Sequence, residues 1–182
     1  MVDGRKAEED GNTDSAIEHY KDAMLISEEY APAAFVLGKL YDRIGDNKAN
    51  NFFQKAITND SIYYSAYRFL YLNYVKSANF KPMMDLLNEA IVRGNDFFNI
   101  HYYLGIAYNG AGLFEEAIKQ YQRALELNSK SIDANIQAGI AYQNMKSYAK
   151  ARECYTKAIQ IDPENQTATE NLKRLDELQK KF

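Results

Sequence analysis

The sequence predicts an all-α protein built from one repeated unit. Three observations carry that expectation. Helix breakers are scarce: 182 residues hold nine glycines and three prolines, and many of the others are long polar side chains that suit helix. The run Gly-Ile-Ala-Tyr stands at 105–108 and again at 139–142, an interval of 34 residues. Small and aromatic residues recur at the same step through the rest of the chain, and a fixed interval of this size marks a repeat architecture.

Taken in chain order, the first unit (1–30, incomplete) shows Gly4, Ala7, Ala16, Tyr20, Ala23 and Glu28. The second (31–63), one residue shorter in its turn, shows Leu37-Gly38, Tyr41, Ala49, Phe53, Ala56 and Ser61. The third (64–97) is degenerate, with Leu70-Tyr71, Tyr74, Met83, Leu87, Ala90 and Asn95. The fourth (98–131) shows Leu104-Gly105, Tyr108, Ala117, Tyr121, Ala124 and Ser129, and the fifth (132–165) shows Ala138-Gly139, Tyr142, Ala151, Tyr155, Ala158 and Pro163. After Pro163 the pattern changes. Leu172, Leu175 and Leu178 lie among charges in a segment without a second helix, as expected of a cap at 166–182 that covers the last apolar face.

The order small-Gly, aromatic, Ala, aromatic, Ala, Pro over 34 residues resembles the tetratricopeptide repeat, a helix–turn–helix unit, across residues 1–165. Three features depart from it. The leading tryptophan is replaced by Ala33, Tyr67, His101 and Asn135; the closing proline survives only as Pro163; and the third unit is irregular. The resemblance implies one domain over 1–182, a right-handed superhelical array of antiparallel helix pairs (an α-solenoid) with a C-terminal capping helix. Glycine inside a helix costs about 0.5–1 kcal/mol against alanine, so Gly38, Gly105 and Gly139 are expected to mark close helix crossings, with Ala49, Ala117 and Ala151 facing them. The segments 43–47, 109–113 and 144–148 are expected to turn within units, and 57–61, 93–96 and 127–131 between them. Gly94 is expected to terminate a helix, and Asp60, Asn95 and Asp162 to cap the helices that follow. Because Gly4 already holds the eighth position of its unit, either the protein starts with a truncated unit or, the reading preferred, the chain is a piece of a longer array.

The totals exclude several classes. A net charge of −3 gives no general reason to expect nucleic acid. The single Cys154 cannot form an internal disulfide and suits a reducing, cytoplasmic setting. No run approaches the roughly 18–20 apolar residues of a spanning helix. The chemical inventory is thin. His19 reads as a surface residue, His101 as packing and Cys154 as a small semi-buried apolar group. Glu28-Glu29 and Glu115-Glu116 read as solvated acids at an exposed junction or a helix start. Met83-Met84 reads as core filling, and Asn59-Asp60-Ser61 and Asn165-Gln166-Thr167 as chance matches to glycosylation acceptors. No metal-ligand spacing and no phosphate-binding loop is present. The expectation is a non-enzyme with no cofactor and no metal.

In the family, the first helices line a concave groove. Carried over, that groove takes Phe35, Lys39, Asp42 and Arg43 from the second unit, and Ser65, Arg68, Leu72, Val75 and Lys76 from the third. The fourth supplies Asn99, Tyr102, Ile106 and Asn109, and the fifth supplies Asp133, Ile136, Ile140, Gln143 and Asn144. Its early half is basic and its later half apolar. The expected ligand is a peptide or helix of a protein partner, apolar with an acidic flank; the alternatives are a self-associating scaffold that forms homo-oligomers and the regulatory or targeting part of a larger enzyme. The exposed isoleucines of such a groove could instead pack on the next unit. The chaperone-tail clamp of some members is not matched, because its sites read Phe35, Lys39, Phe69, Asn99 and Tyr103.

Overall fold

The computed structural model describes residues 2–26, 30–60 and 63–180, and these fold entirely as helices and turns. The Glu28-Glu29 pair and Ser61 lie outside the described residues. In chain order the helices are α1 (Val2–Glu9), α2 (Thr13–Ile26), α3 (Ala31–Arg43), α4 (Lys48–Asn59), α5 (Tyr64–Ser77), α6 (Lys81–Val92), α7 (Phe98–Gly110), α8 (Phe114–Leu127), α9 (Ile132–Asn144), α10 (Tyr148–Ile161) and α11 (Gln166–Gln179). None is long and apolar enough to cross a membrane. Two compact units result, Met1–Ser77 with α1–α5 and Ala78–Phe182 with α6–α11. The division falls inside the repeat 64–97 that the sequence marks as irregular. In the first unit α1 pairs with α2 and α3 with α4, while α2 meets α3 and α4 meets α5. In the second, α7 pairs with α8 and α9 with α10, with α6 packed on α7, α8 on α9, and α11 on α10 and α9.

The glycines of the first helices are explained by rings on the second helices. A Cβ on Gly38 would stand 2.5 Å from Phe53, and one on Gly105 would stand 2.6 Å from Tyr121. Gly139 meets Tyr155 in the same way, and Gly4 meets Tyr20 less tightly, at 3.0 Å. The alanines expected to face these glycines are buried at the crossing, but it is the ring that fills the space. Tyr20, Phe53, Tyr121 and Tyr155 are each no more than 1% exposed. Fully burying such a ring contributes roughly 2–3 kcal/mol, more than the ~1 kcal/mol lost by placing glycine in a helix. In the third repeat both members of the pair change together, to Tyr71 and Leu87.

A second recurrence sits in the turn within each repeat. Residues 11, 45, 78, 112 and 146 all have positive φ, between 50° and 77°. Glycine fills this place as Gly11, Gly45 and Gly112, whereas Ala78 and Lys146 adopt it with side chains. The turn closes on backbone bonds: Gly112 N–H donates to Asn109 O (3.1 Å) and Leu113 N–H to Tyr108 O (2.9 Å), matched by Lys146 to Gln143 (2.9 Å) and Ser147 to Tyr142 (2.9 Å). Gly94 terminates α6 as expected, with φ 88° and its N–H on Ile91 O at 2.9 Å.

The capping expectation needs correction. The residues that cap α9 and α11 are Ser131 and Asn165, whose side-chain oxygens accept from Ala134 N (3.2 Å) and Ala168 N (3.0 Å). Asp162 instead closes α10 as its C-cap, and Phe97 holds the N-cap position of α7 without a side-chain cap, so Asn95 stays in the loop. A cap must directly precede the first turn, and those two residues stand two or more positions too early.

Two stability outcomes follow from these geometries. Gly105→Ala forces Tyr121 to move and is expected to destabilise the protein by about 1–3 kcal/mol, despite alanine's better helix propensity. Lys146→Gly relieves a left-handed side-chain residue and is expected to stabilise by about 0.5–1 kcal/mol after the added chain entropy. Urea unfolding followed by circular dichroism reads both.

Candidate functional site

The first-helix face of unit one is built by α3 and α5. Their helical spacing sets Lys39 and Arg43 on successive turns of α3, and Arg68, Leu72, Val75 and Lys76 along α5. All six are exposed, Leu72 at 43% and Val75 at 45%. Lys39, Arg43 and Arg68 have no acidic partner among the described residues. Lys39 lies over the Phe35 ring at 5.9 Å, and Lys76 Nζ donates to Asn73 Oδ1 at 3.4 Å. Phe35 is half-buried in an aromatic nest with Phe53, Tyr63 and Phe69, at centroid distances of 5.9, 5.1 and 5.6 Å. The nest gives Lys39 an apolar floor. A cleft of about 250 Å³ at one end is lined by Asp42, Asp46, Asn50, Asn73 and Lys76 among others.

Unit two answers the expectation differently. The isoleucines expected to face water there are covered. Ile106 is 8% exposed and Ile136 4%, and Ile140 is partly buried between two core clusters. Ile136 packs with Ala158 of α10 and Ala168 of α11, and Ile140 adds contacts to the cluster of Ala151, Tyr155 and Leu175. The cap covers what a free groove would have shown. Asn99 is buried. Tyr102 is half-buried, stacked on Phe98 at 5.6 Å. Asn109 is half-buried, with a carbonyl oxygen that finds no hydrogen-bond donor among the described residues. Only Asn144 and Asp133 stand exposed among the expected residues of this half.

Three equivalent ties join second helices to the first helices after them, and sequence reasoning missed them. Gln54 Nε2 donates to Tyr74 OH (2.8 Å) in unit one; Asn88 Nδ2 donates to Tyr108 OH (3.2 Å) and Gln122 Nε2 to Tyr142 OH (3.2 Å) in unit two. Each pair is 20 residues apart, and each member recurs at the 34-residue step, so the signal was present as an amide at a fixed distance before each of these tyrosines. The tyrosines expected simply to fill space thus also carry the polar register of the stack.

His101, expected to pack, is buried, but it is polar in function. Its Nδ1 meets Gln120 Oε1 at 2.7 Å and its Nε2 meets Asp96 Oδ1 at 2.8 Å. Asp96 is also gripped by Arg123, whose Nε donates at 3.0 Å, and Arg123 Nη1 reaches Glu126 at 2.8 Å. The Arg123 hydrogen bond above all holds the Asp96 carboxyl below the ordinary carboxylate range, with a smaller contribution from His101 and against the opposing effect of partial desolvation. This network ties the α6–α7 loop to α7 and α8 and leaves no imidazole nitrogen free for proton transfer. Cys154 is half-buried with its thiol pushed up to about 11 by burial, so it is not an activated thiolate. Among the described residues no cluster of three or more His, Cys, Asp or Glu side chains stands close enough to hold a metal. A cleft of about 710 Å³ between α8, α9 and α10 is lined by Gln122, Leu125, Glu126, Ser129, Asn135 and Lys157.

A carboxyl with a depressed folded pKa contributes stability above its unfolded value, about 3.9, and loses it as pH falls through the folded value. Arg123→Ala should therefore lower the urea midpoint at neutral pH. The gap to the unmodified protein should begin to shrink below about pH 4, as Asp96 protonates first in the unfolded chain, and should close only below the depressed folded value.

Comparison with known proteins agrees with this architecture. The tetratricopeptide repeat family model matches residues 98–131 and 133–165. No curated protein sequence matches significantly. Among solved structures, the chain is similar to MamA at 26% identity and a TM-score of 0.66, with 90% of each chain covered. It is similar in fold to YrrB, with 22% identity, a TM-score of 0.66, and 93% of this chain and 88% of that one covered. It is likewise similar to the thermophilic protein TTC0263 of Thermus thermophilus, with 17% identity, a TM-score of 0.65 and 94% of each covered. Residues 98–131 and 133–165 are thus two tetratricopeptide repeats, and the ring-and-glycine contact found in both recurs at Gly4 and Gly38.

Proposed function

We propose that this protein is a non-catalytic interaction scaffold that holds a peptide or helix of a protein partner against the first-helix faces of its repeats. The observation that carries the reading is the α3–α5 face of unit one. Four cations, Lys39, Arg43, Arg68 and Lys76, stand exposed beside the exposed apolar residues Leu72 and Val75. Unpaired cations in water cost nothing to keep, but exposed apolar side chains set among them on one helix suit a partner that supplies both contacts. The partner is an amphipathic segment with an apolar stretch and acidic residues beside it. Apolar contact would give it affinity, and the charges would give orientation and association rate. The fold is compatible with such a role: YrrB, of the same fold, is described as a TPR protein with an unusual peptide-binding site. In unit two, Tyr102, Asn109 and Asn144 remain candidates for contact, while Ile106, Ile136 and Ile140 serve the core first.

The test is capture of partners by the intact chain, followed by affinity measurement across a salt series. Binding should weaken as salt rises, and Arg68→Glu with Lys76→Glu should weaken it at least ~tenfold at low salt without changing the helical signal. Affinity that ignores both the salt and the charge reversals removes the unit-one face from the interaction.

A further inference from the structure

We infer that α11 is a detachable strap that occupies, in cis, a helix-docking face made by α9 and α10, and that this face accepts in trans a partner's amphipathic helix of the same pattern. That pattern is a small residue, a leucine four positions on, a second leucine three further, and an acid directly after it. The inference rests on the reading of first-helix faces as docking surfaces and adds how the last of them is controlled.

The α11 helix sits where the first helix of a following repeat would begin. Asn165 and Ser131, 34 residues apart, cap their helices through the same bond, to Ala168 N and Ala134 N. Ala168 and Ala134 are both fully buried. The likeness ends on the other face. Six residues of α9 are buried, namely Ala134, Asn135, Ile136, Ala138, Gly139 and Ala141, whereas α11 buries only Ala168 and Leu175. The Ala138-Gly139 pair that admits Tyr155 is replaced in α11 by Leu172-Lys173, so α11 carries no seat for a ring and is held by fewer buried side chains than α9.

Its attachments define the chemistry of what the face takes. Ala168 enters beside Ile136 and Ala158, with Ile140 packed against them. Leu175 enters beside Ala151 and Tyr155, with Leu172, Ile140 and Tyr142 around it. Asp176 pairs with Arg152, which also donates to Gln179 at 2.7 Å. The outer side, with Glu170, Lys173, Arg174 and Glu177, is solvated. A helix of 14 residues is marginal alone in water, so α11 is helical largely because it is docked. Lifting it uncovers Ile136, Ile140 and Tyr142 together, a contiguous apolar area that calls for a replacement helix.

Two measurements on the full chain decide the matter. In hydrogen exchange of the unmodified protein, α11 amides should exchange at least ~100-fold faster than those of α9 and α10 through local opening; equal protection would overturn the strap. The probe for docking is a fluorescent synthetic peptide of residues 165–179. A chain carrying Leu175→Asp, whose own strap is undocked, should bind it at least ~tenfold tighter than the unmodified chain, and the same peptide carrying L175D should not bind. Equal weak binding to both chains overturns the proposal. So does a Leu175→Asp chain whose helical signal collapses beyond α11, since the helix would then be integral to the fold. An unmodified chain that dimerises with concentration and ignores the peptide would assign the face to a second copy instead. Because the probe is the chain's own helix, these failures leave the unit-one interaction untouched.

Discussion

The structure depends on one recurring contact, an aromatic ring pressed against a helix where a side chain is missing. Tyr20, Phe53, Tyr121 and Tyr155 each take the space left by Gly4, Gly38, Gly105 and Gly139. The contact sets the distance between the two helices of a repeat. Between repeats, the amides at 54, 88 and 122 meet the tyrosines at 74, 108 and 142. This polar registration persists at Tyr74 and Asn88, although the third repeat lacks the ring-and-glycine pair. A methyl group at one of the glycines would force movement of a side chain in a close-packed interior.

Much of this was legible in the sequence because it is periodic. The interval, the small and aromatic positions and the turns within repeats at 43–47, 109–113 and 144–148 followed from residues that recur in step, whereas the expected turn at 57–61 is helix through Asn59. What was hidden is what depends on orientation. Alanines are natural candidates for the neighbours of these glycines because both are small, but side-chain direction on paired helices brings the rings there instead. Position within the repeat puts the isoleucines at 106, 136 and 140 on an open face, and a helix without a second member to its repeat covers two of them. Asp96 and Arg123 gave no local sign of each other, since their encounter at His101 is made only when the loop before α7 folds over α8.

The two units carry their surface chemistry in different ways. On α3 and α5 the cations have no acidic partner among the described residues, and Leu72 and Val75 beside them are exposed. On α8 and α10 the arginines are spent internally, Arg123 on Asp96 and Glu126, and Arg152 on Asp176. Charges already engaged in this way hold the stack together and offer little to a visitor, whereas those of the first unit remain to be met from outside.

The loss of the ring-and-glycine pair in the third repeat, where Tyr71 and Leu87 stand, coincides with the boundary at Ser77. Each of the two units nevertheless keeps two ring-and-glycine pairs of its own, so each carries within itself the contact that seats one helix of a repeat on the other.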